Sequence, residues 1–416
     1  MNSGAATFPH SPKAPEAPEA SGAPAHDGRV IALITVAHGF SHFYQILIAS
    51  LFAFIARDLG LSYTQLGVLI TLFFAASGVG QIASGFAVDT FGGRKLLVGG
   101  LMLCGLAHVA AGAAPSFPML AVAAFLAGAG NSVFHPADFS LLNHHVSPKR
   151  LSWAFSLHGI GGNIGYVLSP LYAVAATHWL GWKGALTLAG GAGAVLALWL
   201  AFDPSIKHVV VAKRPKDLPK LTARELIAPL LNPTIFFAFA FFCVTTFYSI
   251  SISSFGPALF RDVHGHAIEK GTVLLSMYLI AQTVGMVAGG WIGASGRAPG
   301  RTASIATCAA GFIACALFIS PLPYFALAAV LMAVGFCVGV VSPSRDLIIK
   351  KAAPKHALGR AYGVVYAGFD VGASIVPIIY GTLIDHKLGL IVIGFAVASL
   401  FVNAAIARWL DRKVGA

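Results

Sequence analysis

The feature that most constrains this chain is a succession of apolar stretches, each about as long as a bilayer crossing and separated by short polar breaks. A helix needs about 20 residues to cross roughly 30 Å of hydrocarbon. Twelve stretches reach or approach that length: 30–56, 63–87, 95–114, 117–143, 150–178, 183–202, 233–259, 270–293, 302–320, 322–345, 357–384 and 388–408. In hydrocarbon every backbone N–H and C=O must bond within the chain, so runs of this length are read as helices. The expected fold class is an all-α membrane protein with twelve transmembrane helices. Composition agrees: only 10% of the 416 residues are charged and 57% are hydrophobic, and mean hydropathy is +0.80. A soluble chain carries about 25% charged residues. The 46 glycines suit close helix packing in a bilayer.

The polar breaks define the organisation. Residues 1–28 are rich in Pro, Ala, Glu and Ser and read as a disordered N-terminal tail, not a signal peptide. Residues 29–202 read as a six-helix bundle and 203–232 as a cytoplasmic linker, with a surface helix near 221–231. Residues 233–410 read as a second six-helix bundle and 411–416 as a C-terminal tail. With both termini in the cytoplasm, 21 of the 27 Lys and Arg fall inside, 5 outside, and Arg345 at the edge of a span. Cytoplasmic loops carry such an excess. The net charge of +12 is therefore assigned to membrane orientation, and no nucleic-acid partner is expected. The halves also repeat. Pro136, Pro148, Asn163 and Pro170 match Pro343, Pro354, Asp370 and Pro377 at a spacing of about 207 residues, so spans 4–5 recur as spans 10–11. Parallel six-span repeats build two-half transporters.

A charge at the bilayer centre costs about 2.5–3.5 kcal/mol on insertion scales, so ionisable groups within the spans mark the candidate site. His38 and His42 are four apart and share one face of span 1, with Tyr44 and Gln45 beside them. His135 and Asp138 flank Pro136 in span 4, and His158 and Asn163 lie in span 5. Arg345 and Asp346 follow Pro343 in span 10, and Asp370 lies in span 11. Asp138 is the leading proton-carrying carboxylate, with His42, His135 and Asp370 as its proton-coupling partners. His38, Tyr44, Gln45, His158, Asn163, Arg345 and Asp346 are assigned to the substrate cavity. Burial drives a carboxylate towards its protonated form and a nearby cation opposes that, which is the competition proton coupling requires. Arg345 has three readings: counter-charge for Asp138 or Asp370, binder of an anionic solute, or half of a structural ion pair. No Walker loop, HExxH or nucleophilic triad occurs. The five cysteines have no metal-ligand spacing. No cofactor, metal or enzymatic activity is expected.

The break between spans 2 and 3 reads Gly85, Asp89, Gly92, Gly93, Arg94, Lys95. It resembles the loop signature of the major facilitator superfamily, a likeness covering about residues 30–410. Gly85 is read as a close-packing glycine. The resemblance implies that Asp89 braces the cytoplasmic side of the outward-facing state and that spans 1, 4, 7 and 10 line a central cavity. The matching loop in the second half lacks the acid. Within the superfamily the chain is similar to fosmidomycin-resistance-type efflux carriers, through His38–His42, Gly130–Pro136 and Gly161–Gly165. It departs from them in placing Ala137 before Asp138. Gly161, Gly165, Ser169 and Pro170 partly match an antiporter signature. The resulting expectation is a monomeric, proton-coupled transporter in a bacterial inner membrane, exporting a drug or metabolite. Its partners would be a small solute, protons and the lipid bilayer. The alternatives are proton-coupled uptake of a small organic anion and, more remotely, a non-transporting receptor or scaffold.

Overall fold

In the computed structural model, residues 24–206, 232–295, 298–352 and 358–414 are described, and they contain helices and no strand. The stretch read as the linker, with its surface helix, lies largely outside them, as do residues 1–23. Span 1 opens at Pro24, within the stretch read as a tail, and runs to Ser50, continuing as Phe52–Leu59. Spans 2 and 3 are Tyr63–Phe91 and Gly93–Gly112. Span 4 comprises Phe117–Asn131 and Phe134–His145. Spans 5 and 6 form one long helical element, Pro148–Phe202, divided at Gly181, whose φ of 64° and ψ of 173° are non-helical. Glycine populates that region at little cost. The second half comprises Pro233–Ser253 with Gly256–His264 (span 7), Ile268–Ala294 (span 8) and Pro299–Ala314 (span 9). Tyr324–Ala352, Leu358–Asp385 and Gly389–Val414 are spans 10, 11 and 12.

Packing makes the internal repeat visible. Within the first half, span 2 packs on 4, 1 on 5, and 3 on 4 and 6. Within the second, span 8 packs on 10, 7 on 11, and 9 on 10 and 12. Each pair has its counterpart six spans later. Close approach is achieved the same way in both: a Cβ on Gly128 would lie 2.1 Å from the Phe73 carbonyl oxygen, and one on Gly285 would lie 2.1 Å from that of Phe336. The halves meet along two seams, span 2 against 11 and span 5 against 8, and the repeat exchanges these seams. Large apolar side chains such as Val195, Phe312 and Phe325 are exposed on the outer surface, as lipid contact requires.

The loop between spans 2 and 3 is a one-residue break at Gly92, whose φ is 87°. Arg94 then donates to the carbonyls of Ala201 and Asp203 at the end of span 6, 2.8 and 3.0 Å away. A cation there complements the negative end of a helix. Asp203 also accepts from Arg29 at 2.6 Å. Burial pushes the Asp203 carboxyl up, but hydrogen bonds from Ser205 and Arg29 outweigh it and hold it at about 2. Lys95 is exposed. Gly85 departs from its expected role: a Cβ there meets nothing within 4 Å, so no helix approaches it closely. The side chain of Asp89 lies outside the described residues.

Candidate functional site

The site is built where spans 1, 4 and 5 converge. Pro136 has no N–H for the Ser132 carbonyl, and its ring crowds that carbonyl. Span 4 is accordingly interrupted at 132–133, and Asp138 stands on the second segment, fully buried. Asn131, just before the break, ties three spans together: it accepts from Ser41 at 2.7 Å and donates to Ser77 at 3.0 Å.

Asp138 is held by imidazoles. His158 Nε2 lies 3.0 Å from Asp138 Oδ2 in hydrogen-bonding geometry. His38 Nδ1 lies 3.2 Å from the same oxygen, off line for a hydrogen bond. The His38 and His158 rings stack with centroids 3.6 Å apart. His42 stands 4.5 Å and His135 5.1 Å from the His38 ring. The two histidines assigned to the cavity are thus the direct partners of Asp138, while His42 and His135 form the next layer. Asp138 Oδ1 and His42 Nδ1 are buried without a hydrogen-bond partner in the protein. Such an atom costs about 1–3 kcal/mol unless something else satisfies it.

The donor atoms of His38, Asp138 and His158 lie within 4.8 Å of one another, a spacing compatible with a metal ion. The ring planes argue against chelation as arranged. A metal sits about 2.0–2.1 Å from an imidazole nitrogen, along its in-plane lone pair. Stacked rings inclined by only 22° do not direct two lone pairs at one such point.

Other expected residues fall elsewhere. Tyr44 is not in the cavity: it donates to the Ala189 carbonyl at 2.9 Å and stacks on His108 with centroids 4.2 Å apart, packing span 1 onto spans 3 and 6. Gln45 accepts from Tyr166 at 2.5 Å, and the Tyr166 ring lies 4.4 Å from that of His42. Asn163 donates to the Gly159 carbonyl at 2.9 Å and to the sulfur of Met286 in the other half at 3.4 Å. Arg345 is not the counter-charge of Asp138. Its guanidinium lies 4.5 Å from the ring centre of Phe242 and 5.6 Å from that of Tyr366. Asp370 lies on the seam, its Cβ 2.8 Å from where a Cβ on Gly78 would be. The side chain of Asp346 lies outside the described residues.

Tyr166 escaped the sequence reading, and Gly162 entered it only as part of the Gly161–Gly165 likeness. Tyr166 lies three residues beyond Asn163, hence on the same helix face. Gly162 makes room for the imidazoles: a Cβ there would lie 2.8 Å from His42 Cε1 and 3.1 Å from His38 Cδ2.

The sequence pattern of the Major Facilitator Superfamily matches residues 31–377 and again 272–416. The chain belongs to that superfamily. As a Major Facilitator Superfamily protein it is a multi-pass membrane transporter for small-molecule solutes, not an enzyme. It is 28% identical over 277 residues to the fosmidomycin resistance protein of Escherichia coli, a match spanning 64% of each chain. It is 23% identical over 350 residues to the probable nitrate/nitrite transporter NarK2 of Mycobacterium tuberculosis, covering 82% of this chain and 85% of that one. Among solved structures, a bacterial homologue of the human lysosomal transporter Spinster superposes with a TM-score of 0.75 at 15% identity, covering 94% of this chain and 98% of that one. This last likeness bears on the fold, which is the twelve-helix major facilitator fold.

Proposed function

We propose that the protein is a proton-coupled secondary transporter that works by alternating access and exports a small organic solute. The observation that carries this reading is Asp138, fully buried within the bundle on span 4, bonded to His158 on one oxygen and without a protein partner on the other. A structural ion pair would satisfy both oxygens. A group that gains and loses a proton during a cycle leaves one available. His42, His135 and Asp370 complete the proposed proton pathway, with His38 and His158 orienting the acid. A potential of ~100 mV supplies about 2.3 kcal/mol per charge moved, enough to sustain a useful solute gradient. Export rests on the fosmidomycin resistance relative and on the glycine spacing of span 5.

A second reading, proton-coupled uptake of a small organic anion, is favoured by Arg345 and by relatives named for anions. One is a probable sulfoacetate transporter of Cupriavidus necator, 25% identical over 382 residues. We propose a monomer in a bacterial inner membrane, in keeping with its bacterial relatives, with both termini and the 203–232 linker in the cytoplasm on the strength of the Lys/Arg distribution. Reconstitution into liposomes under an imposed pH gradient tests the proposal. Solute movement opposite to the proton supports export, and movement with the proton supports the second reading. Transport indifferent to the gradient, or unchanged in Asp138→Asn, would refute proton coupling at this site.

A further inference from the structure

A polar contact on the seam between the halves, far from the Asp138 cluster, has no part in the proposed site. Span 2 begins with a complete capping box of its own. Ser62 Oγ accepts from the Gln65 N–H at 3.2 Å, and the Gln65 side chain accepts from the Ser62 N–H at 3.0 Å. The N–H groups of Tyr63 and Thr64 remain from the first turn. Both donate to Asp385, the last residue of span 11 in the other half, at 2.8 Å to Oδ1 and 2.9 Å to Oδ2. The Thr64 hydroxyl adds a third bond to Oδ2 at 2.6 Å. All of this lies on the face of the bundle away from the chain ends.

Two features make this more than loop packing. An acid at the C-terminal end of its own helix has the wrong sign for that helix's dipole, whereas the N-terminus of another helix has the right one. Asp385 is therefore favourably placed only while span 2 lies against span 11. The seam around it is also close-packed: a Cβ on Gly381 would lie 2.3 Å from the Tyr63 carbonyl oxygen, and one on Gly67 would lie 2.3 Å from that of Pro377. Phe255 of the second half packs nearby, its ring 6.5 Å from that of Tyr63 and 5.8 Å from that of Phe52.

We infer that Asp385 is a latch: its carboxylate holds the start of span 2 against the end of span 11 and stabilises the conformer closed on that face. Separating the halves there gives up three hydrogen bonds to the carboxylate and returns the acid to the negative end of its own helix. The inference assumes alternating access but neither proton coupling nor any particular solute.

The test is a distance measurement by pulsed electron paramagnetic resonance on the full chain in lipid nanodiscs. Nitroxides are placed at Arg57→Cys and Leu390→Cys, one in each half near that face, on a background in which the five native cysteines are replaced by alanine. A second pair at Arg57→Cys and Ser116→Cys reports within the first half alone. Asp385→Ala is expected to raise the ratio of separated to closed populations about tenfold, equivalent to ~1.4 kcal/mol. Asp385→Asn, which keeps an acceptor oxygen without the charge, is expected to fall in between. Thr64→Val, which removes the hydroxyl's contacts with Asp385 Oδ2 and with Thr382 Oγ1 at 3.2 Å but keeps both N–H bonds to the carboxylate, should give a smaller shift in the same direction and covers the case in which the Asp385 variants do not fold. An unchanged cross-half distribution in the folded variants overturns the latch. So does an equal change in the within-half pair, which would mean local unfolding. The spectra are recorded without solute, so a failure of the transport assays would count against the proposed function and leave this inference intact.

Discussion

The two halves share a plan and differ in their charge. Two residues beyond Pro136 and Pro343, the first half has Asp138 and the second Arg345; seven residues before Pro170 and Pro377, the first has Asn163 and the second Asp370. Around Pro136 span 4 is interrupted and its acid lies among imidazoles. Around Pro343 the helix continues through, and Arg345 lies over aromatic rings instead. Helix pairing repeats faithfully while the polar positions do not. Packing constrains backbone spacing, which small residues supply in either half. Chemistry is carried by individual side chains, which duplication leaves free to diverge. Under the proposed function the division is one of labour: the central proton-carrying acid lies in the first half, with Asp370 as its partner across the seam, and under the second reading Arg345 gives the second half the recognition of an anion.

The largest expected effect that would break this division comes from Asp138→Asn. Proton-driven transport in liposomes should fall at least about a hundredfold, the scale of losing an essential proton-transfer group, with elution and helicity unchanged. If Asp370→Asn has the larger effect, the assignment of halves is reversed. Next is packing: a Cβ on Gly165 would lie 2.0 Å from the Gly39 carbonyl oxygen, so Gly165→Ala should cost about 1–3 kcal/mol of stability by overpacking. The matched Gly372→Ala, whose Cβ would first meet the movable Thr246 hydroxyl at 2.3 Å, should cost less. Detergent thermal melts compare them. Arg345→Lys keeps the charge but gives up planar stacking on Phe242. For an anionic solute it should raise KM by about tenfold with a smaller change in kcat, because one charged recognition contact is worth about 1–2 kcal/mol. An unaltered KM for every anion tried would remove the second half from recognition. The smallest effect concerns acid stability. Asp203 is held at about 2, below its unfolded value of about 3.9. Its contribution is therefore complete above pH ~4 and is lost as pH falls towards 2. Melting temperatures recorded from pH 5 to 2.5 should fall less steeply in Asp203→Asn than in the parent.

Much of the architecture was legible because hydrocarbon allows so few solutions. Segment length alone placed twelve crossings, and even the merged Pro148–Phe202 element divides at Gly181, between the stretches expected at 150–178 and 183–202. The site was half legible. That His38, His42, His135, Asp138 and His158 are ionisable and intramembrane could be read directly, and they do gather. Which imidazole touches the acid could not be read, because it depends on rotation of span 5 against span 1, set by the contact of Gly165 with Gly39. Tyr44 misled for a similar reason. It lies only two residues beyond His42, about 200° around the helix, and so faces spans 3 and 6. For Arg345 the sequence left three readings open, and charge pairing could not reveal that its guanidinium lies over the rings of Phe242 and Tyr366.

The one-to-one exchange of the two seams has a mechanical corollary. In the proposed alternating-access cycle, two lines of contact related by the repeat, span 2 on 11 and span 5 on 8, would constrain the halves as the rails of a rocker constrain its seat: tilting would lift both contacts at one end and press both at the other. A body built this way resists standing open to both compartments at once, because parting the halves at both ends would have to separate each rail along its whole length. In that cycle leak-tightness would be a property of the paired geometry itself, shared by all the residues along the two lines.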